Sequence, residues 1–247
     1  MAEKSVKDIK VWVIPPKIGN RFIRKHHYSG KIVNNSKIHF GAFLDGILHG
    51  VMSLGSPLDK RKVIGLVKDT KWNEMLELNR MAFDKHLPRN SESRCLSIVF
   101  KLLRKNTPQV KWILSFADAT QCGDGVIYRA AGFKLTGVIP NQNTCRLPSG
   151  EVMHKMTLES NPTKRRRELG GKTYYEVTGG KYDFNKYIEV VGGERLTGYQ
   201  VRYIYLLDKS CEITIPILPY SKIDEVGAGM YKGEKITVAE RHASVVQ

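Results

Sequence analysis

The chain has 247 residues, 41% of them hydrophobic, and a net charge of +16. That apolar share supports a core, but no run approaches the roughly 20 apolar residues of a membrane span, and the N-terminus lacks the apolar region of a signal peptide. The four cysteines form no Cys-x-x-Cys pair, which argues against a disulfide framework and a zinc ribbon and leaves a cytoplasmic protein as the expectation. Residues 1–160 carry 26 Lys and Arg against 13 Asp and Glu, while residues 161–247 carry 14 against 11. The excess belongs to the first part and points to a polyanionic partner, nucleic acid first.

Lys10–Ile14 reads as a strand stopped by Pro15-Pro16, and residues 17–27 as a basic helix ending near His27, Tyr28 and Ser29. Residues 39–44 and 48–54 flank Asp45-Gly46, a strong hairpin signal. Residues 72–83 contain a strand, with Glu77, Asn79 and Met81 expected on one face and Leu78, Arg80 and Ala82 on the other. An apolar-periodic helix is predicted from Ser91 to about Lys105, capped by Asn90 or Ser91, with Leu96, Val99, Phe100, Leu102 and Leu103 as its buried stripe. A strand at 112–117, a helix at about 124–131, a strand near 133–139 and another at 152–158 follow. Residues 160–170 read as a basic linker, Gly198–Leu207 as a β-rich run, and the tail from Ala239 as disorder-prone. The expected division is a catalytic domain over 1–160 and a basic linker with a β-rich extension over 161–247.

Asp118 ends an apolar strand, and Tyr128 lies on the short helix beyond the glycine-rich turn Cys122–Gly125. Both point to the open end of a sheet, where α/β proteins place their chemistry. A solvated Asp and a packed Tyr are the plain alternative. His27 and Tyr28 suit metal ligands, a base, or a helix C-cap. His27, Tyr28, Asp118 and Tyr128 together form an oxygen-rich set with one nitrogen, which suits iron better than zinc. Arg80 is costly on a strand unless paired or facing a ligand, and Glu77 is its nearest candidate partner. Lys60, Arg61 and Lys62 lie in an expected loop that would grip DNA phosphates, as would Lys164–Arg167 more loosely.

The order of elements is mixed α/β with a central helical crossover. It resembles the GCN5-related N-acetyltransferase superfamily: a central sheet flanked by helices, the donor's pyrophosphate at the central helix N-terminus, and a closing helix that carries a tyrosine and ends in Gly-Phe. Tyr128–Phe133 matches that last element, whereas Pro88–Arg94 replaces the glycine-rich donor loop and argues against acetyl-coenzyme A.

Six stretches, His26–Gly30, His39–Gly41, Glu77–Ala82, Arg89–Arg94, Ser115–Asp118 and Gly125–Tyr128, resemble the Mom family of phage DNA adenine-modification proteins in the family's own order. The resemblance covers about residues 10 to 160. It implies conversion of adenine in double-stranded DNA to its N6-carbamoylmethyl form, an anti-restriction role, and action in the host cytoplasm. It places an iron site on His27, Tyr28, Asp118 and Tyr128, which are also the catalytic candidates, and a small-molecule donor pocket on Arg80, Ser91, Ser93 and Arg94. A homodimer is compatible with the sequence. Base flipping is expected, with Tyr28, Phe40 or Trp72 as stacking partners. The competing readings are an acyltransferase acting on a protein or small-molecule amine, and a DNA-binding protein without catalysis.

Overall fold

The computed structural model describes residues 5–237, 239 and 240, so most of the tail from Ala239 lies outside the described residues. The strands are β1 (Lys10–Val13), β2 (Ser36–Leu44), β3 (Ile47–Gly55), β4 (Met75–Phe83), β5 (Trp112–Ala119), β6 (Lys134–Arg146), β7 (Val152–His154), β8 (Glu194–Leu206), β9 (Met230–Tyr231) and β10 (Glu234–Lys235). The helices are α1 (Pro16–His26), α2 (Lys60–Val63), α3 (Ser91–Asn106), α4 (Val126–Ala130), α5 (Lys155–Glu159), α6 (Tyr174–Thr178), α7 (Phe184–Val191) and α8 (Ser221–Glu225). The fold is mixed α/β, a large and mostly antiparallel sheet flanked by helices, as expected. Among the described residues no helix is long and apolar enough to cross a membrane.

The sheet has eight strands in the order β1-β2-β3-β4-β5-β8-β6-β7, and β9 pairs with β10 separately. Pairing of β4 with β5 is parallel, and the other pairs are antiparallel. At the β2–β3 turn, Asp45 and Gly46 adopt φ of 52° and 76°, as a type I′ turn requires. α3 lays Cys95, Leu96, Val99, Phe100 and Leu103 on one face of the sheet, and Leu102 of the predicted stripe is only partly buried. α1 covers the other face with Phe22 and Ile23 against Val51 and Ala82. Along β5, Trp112 and Leu114 belong to a third cluster, with Met75 and Ile204. Trp112 is fully buried and its indole donates to Thr70 Oγ1 at 3.0 Å. Trp112→Ala is therefore expected to lower stability by about 3–5 kcal/mol, read as a fall in denaturant midpoint at unchanged slope.

β8 lies between β5 and β6 and pairs with both over most of its length. The central sheet therefore takes in a strand from beyond residue 160. The physical reason is that β5 and β6 do not pair with each other, and β8 satisfies the backbone groups on the edge that each turns toward it. Three expectations need correction. Residues 152–158 split into β7 and α5, because the ring Nδ1 of His154 accepts the Met156 amide at 3.1 Å and caps a helix instead of continuing the strand. Residues 160–170 are not a free linker: Arg166 is buried, donates to Thr157 O at 2.8 Å, and packs beside a second core of Cys145, Leu158, Leu169, Tyr174 and Tyr187. Finally, Leu54 faces Leu78 while Ser53 faces Arg80, which leaves Asn79 as an extra residue in a β-bulge. The bulge turns Arg80 to the face of Glu77 and away from that of Leu78.

Candidate active site

β4 and β5 pair only from Met75 with Trp112 to Leu78 with Ser115, although they run on to Phe83 and Ala119. The strands part beyond that point. The predicted residues gather around the parting, brought there by different elements. His27 and Tyr28 follow the last turn of α1. Asp118 closes β5, Glu77 and Arg80 come from β4, and Tyr128 comes from α4.

Tyr28 donates its phenol to Asp118 Oδ2 at 2.9 Å. Asp118 also accepts the Gln121 amide group at 3.2 Å on Oδ2 and the Thr120 backbone N–H at 3.0 Å on Oδ1. This carboxylate is held at a fixed place with three donors. The His27 ring lies 4.4 Å from the Tyr28 ring. Ser29 orients that imidazole, its hydroxyl 2.9 Å and its amide 3.2 Å from Nδ1. Burial, and then the Arg80 charge, push the His27 pKa down to about 4. The ring is thus neutral near pH 7, with a lone pair to offer. Burial raises the Tyr28 phenol, and the Asp118 charge raises it further.

Arg80 donates to Lys31 O at 2.9 Å and to Asn79 O at 2.7 Å. Burial lowers its pKa, while Tyr28, Glu77 and Tyr128 all lie near enough to raise it. Burial pushes Glu77 up to about 7, against the pull of Arg80. Tyr128 is raised by burial, with the Ser115 hydroxyl acting against it and Cys122 acting with it. It packs against Phe133 and Tyr203, with ring centroids 5.3 and 5.4 Å away. Tyr128 and Tyr28 share Arg80 and Cys122 as electrostatic neighbours, while the direct contacts join His27, Tyr28 and Asp118.

The donor set also suits iron. Tyr28 Oη and Asp118 Oδ2 are already in contact, with the neutral His27 imidazole beside the Tyr28 ring. Oxygen-rich, nitrogen-poor sets of this kind favour hard to borderline metals over zinc.

The donor-pocket candidates divide. Arg80 is in the site. Ser91 is buried and its hydroxyl donates to Pro88 O; Ser93 Oγ donates to Asn90 O at 3.2 Å. Both hydroxyls serve the turn before α3, and Asn90, at φ 69°, enters that helix without a side-chain cap. Arg94 differs: its Nε is buried with no partner, a donor that an anionic group would satisfy.

The basic cluster is not the expected loop. Lys60–Val63 forms a single helical turn, and Lys60 is buried with its ammonium 4.9 Å over the Trp72 ring. Lys62 pairs with Asp59 at 3.2 Å. Phe40 is only 3% exposed and cannot stack on a flipped base, whereas Tyr28 and Trp72 are 50% and 57% exposed.

Two site residues were missed from sequence. The sequence offers Glu77 only as a partner for Arg80, because its burial depends on tertiary packing. His154 caps α5 within electrostatic reach of Asp118 and Lys31, and burial lowers its pKa; a polar residue at the end of a short strand gave no signal. Beyond Ala119 an open cleft continues, lined by Asn141, Gln142, Tyr199, Gly227 and Lys235. It adjoins the Asp118 end of β5 without including the predicted residues.

The Mom protein family matches residues 8–222 of the chain. The methylcarbamoylase mom of Escherichia phage Mu is 36% identical over 165 residues, which is 66% of this chain and 66% of that protein's own length. Among solved structures, the ribosomal-protein-S18-alanine N-acetyltransferase of Escherichia coli aligns with a TM-score of 0.43 at 10% identity, covering 81% of this chain and 94% of that one. A spermidine/spermine N-acetyltransferase of Vibrio cholerae aligns at 0.44 and 9% identity, covering 83% and 96%.

Proposed function

The chain belongs to the Mom protein family, and on that premise we propose that it modifies adenine in DNA, converting it to the N6-carbamoylmethyl form and so shielding phage DNA from restriction in the host cytoplasm. The observation that supports this reading is the Tyr28–Asp118 hydrogen bond with the His27 ring beside it, next to the point where β4 and β5 part. The exocyclic amine of adenine is a weak nucleophile, because its lone pair is delocalised into the ring. A base must take its proton as the new bond to nitrogen forms and the carbamoylmethyl carbon's bond to the rest of the donor breaks, that remainder leaving with the electron pair. Glu77, with a pKa of about 7, is matched to that task at neutral pH. Arg80 beside it favours the charged state of any acid or phenol in the site. Tyr28 is exposed enough to stack on a flipped base. Arg94, with its unpartnered Nε at the start of α3, suits an anionic group of the small-molecule donor.

Iron in this site would be held by His27, Tyr28, Asp118 and Tyr128. Bound there, it would supply Lewis acidity and keep the phenols ionised. The chain's own part is to fix Asp118 with three donors and to keep His27 neutral.

Mass spectrometry of nucleosides from expressing cells tests the reaction. The expected product is a deoxyadenosine heavier by one carbamoylmethyl group in place of a hydrogen. Unmodified adenine beside well-folded protein defeats the enzymatic reading.

Double-stranded DNA is the proposed partner, and the charge of the first 160 residues supports it. Affinity is expected to fall steeply with salt. Because Lys60 is packed on Trp72, Arg61→Ala with Lys62→Ala should flatten the slope of log affinity against log salt by about 1–2. Adding Lys60→Ala should change it little further. A slope unchanged by all three substitutions removes this turn from the footprint.

A further inference from the structure

A second cluster lies at the far end of β4, outside the site described above. His49 Nδ1 is 2.9 Å from Asp84 Oδ2, and His86 Nδ1 is 3.2 Å from Asp84 Oδ1. The two imidazole rings are 5.5 Å apart. Among the described residues this is the one group of three His, Cys, Asp or Glu side chains whose ligand atoms all lie within 4.8 Å of one another.

The backbone builds the cluster. On β3, Gly50 faces Ala42 and Leu48 faces Phe43, so His49 is the extra residue of a β-bulge. Bulges re-aim side chains, and this one releases His49 from the pleat. The Asp84 amide donates to His49 O at 2.9 Å, and the His86 amide donates to Asp84 Oδ1 at 2.9 Å. The first bond fixes the backbone beside the cluster, and the His86 amide and His49 ring hold the two carboxylate oxygens. His49 and Asp84 are shielded, with side chains 13% and 12% exposed, while His86 at 64% leaves one side open to solvent. Neither ring bonds a Ser, Thr or Cys among the described residues, so the arrangement is not a relay that activates a nucleophile.

We propose that His49, Asp84 and His86 form a second metal site, which takes a divalent transition ion of the zinc class. Two imidazoles and one carboxylate are a common protein set for such ions, and an open side leaves room for water as the remaining ligand. Thiolates are absent from the cluster, which disfavours soft monovalent copper. The ion would tie the start of β3 to the segment after β4, and therefore to the turn that begins α3. This inference does not depend on the proposed reaction.

The test uses the full chain, stripped of metal, with Asp118→Ala as background so that metal at the active site does not contribute. Equilibrium dialysis against zinc should give about one bound equivalent, and adding His86→Ala should weaken binding at least tenfold. The exposure of His86 makes that variant safe for folding. Cobalt substitution gives a second readout: visible absorption bands are expected in the Asp118→Ala protein and lost with His86→Ala. Zinc should also raise the melting temperature of the first protein and not of the second. No zinc bound at micromolar concentrations, or zinc affinity within twofold after His86→Ala, overturns the proposal.

Discussion

Asp118→Ala is expected to lower adenine modification by more than about 100-fold. The carboxylate holds Tyr28 at 2.9 Å and is itself held by Thr120 and Gln121. Its loss removes a charge and frees a phenol. Asp118→Asn separates these effects, since it keeps the size and one acceptor while removing the charge. Tyr128→Phe is the companion test: the ring keeps its packing on Phe133 and Tyr203, and only the hydroxyl goes. A comparable loss is expected there. Neither change removes a cation, so DNA affinity should stay within about twofold. Elemental analysis supplies the metal readout. Asp118→Ala and His27→Ala should each lower bound iron, because each removes a proposed ligand. Wild-type activity after thorough chelation would reassign these side chains to acid–base or positioning roles. Full metal occupancy in an inactive variant would do the same.

Local chemistry made part of this legible in the sequence. Asp45-Gly46 supports the hairpin because both residues tolerate positive φ, and the apolar spacing of α3 names four of its five predicted buried residues. Asp118 and Tyr128 were placed by the strand–turn–helix pattern around them, and His27 and Tyr28 by the end of α1. What was not legible depends on partners distant in sequence. Asn79 is an extra residue only relative to β3, so strict alternation put Arg80 on the face of Leu78 when the bulge gives it to Glu77. The place of β8 is decided by the free edges of β5 and β6, which no period in residues 194–206 records. Lys60 looked like a phosphate grip because its stacking on Trp72, twelve positions on, is a tertiary contact.

Glu77→Gln should move activity and stability in opposite directions. Burial raises the folded-state pKa of Glu77 to about 7, above the roughly 4.3 of an exposed glutamate. A raised carboxyl binds protons more tightly in the folded chain than in the unfolded one. Its charged form therefore destabilises the fold, and the penalty grows as pH rises from about 4.3 to 7 before levelling off. With solvent screening the effect at pH 8 is about 2 kcal/mol. Gln keeps the shape without the charge. The variant should accordingly melt higher than wild type at pH 8, with little difference at pH 5. The reaction needs the charged form that the fold disfavours. Wild-type turnover should rise with pH through about 7, the limb on which Glu77 loses its proton. Glu77→Gln should lose about 100-fold or more in turnover and lose that limb with it. Retention of the limb by the variant would assign it to another group. A variant that is both inactive and less stable at pH 8 would show that the carboxylate is held by its pairing with Arg80, in which case Glu77 positions that guanidinium and takes no proton from the substrate.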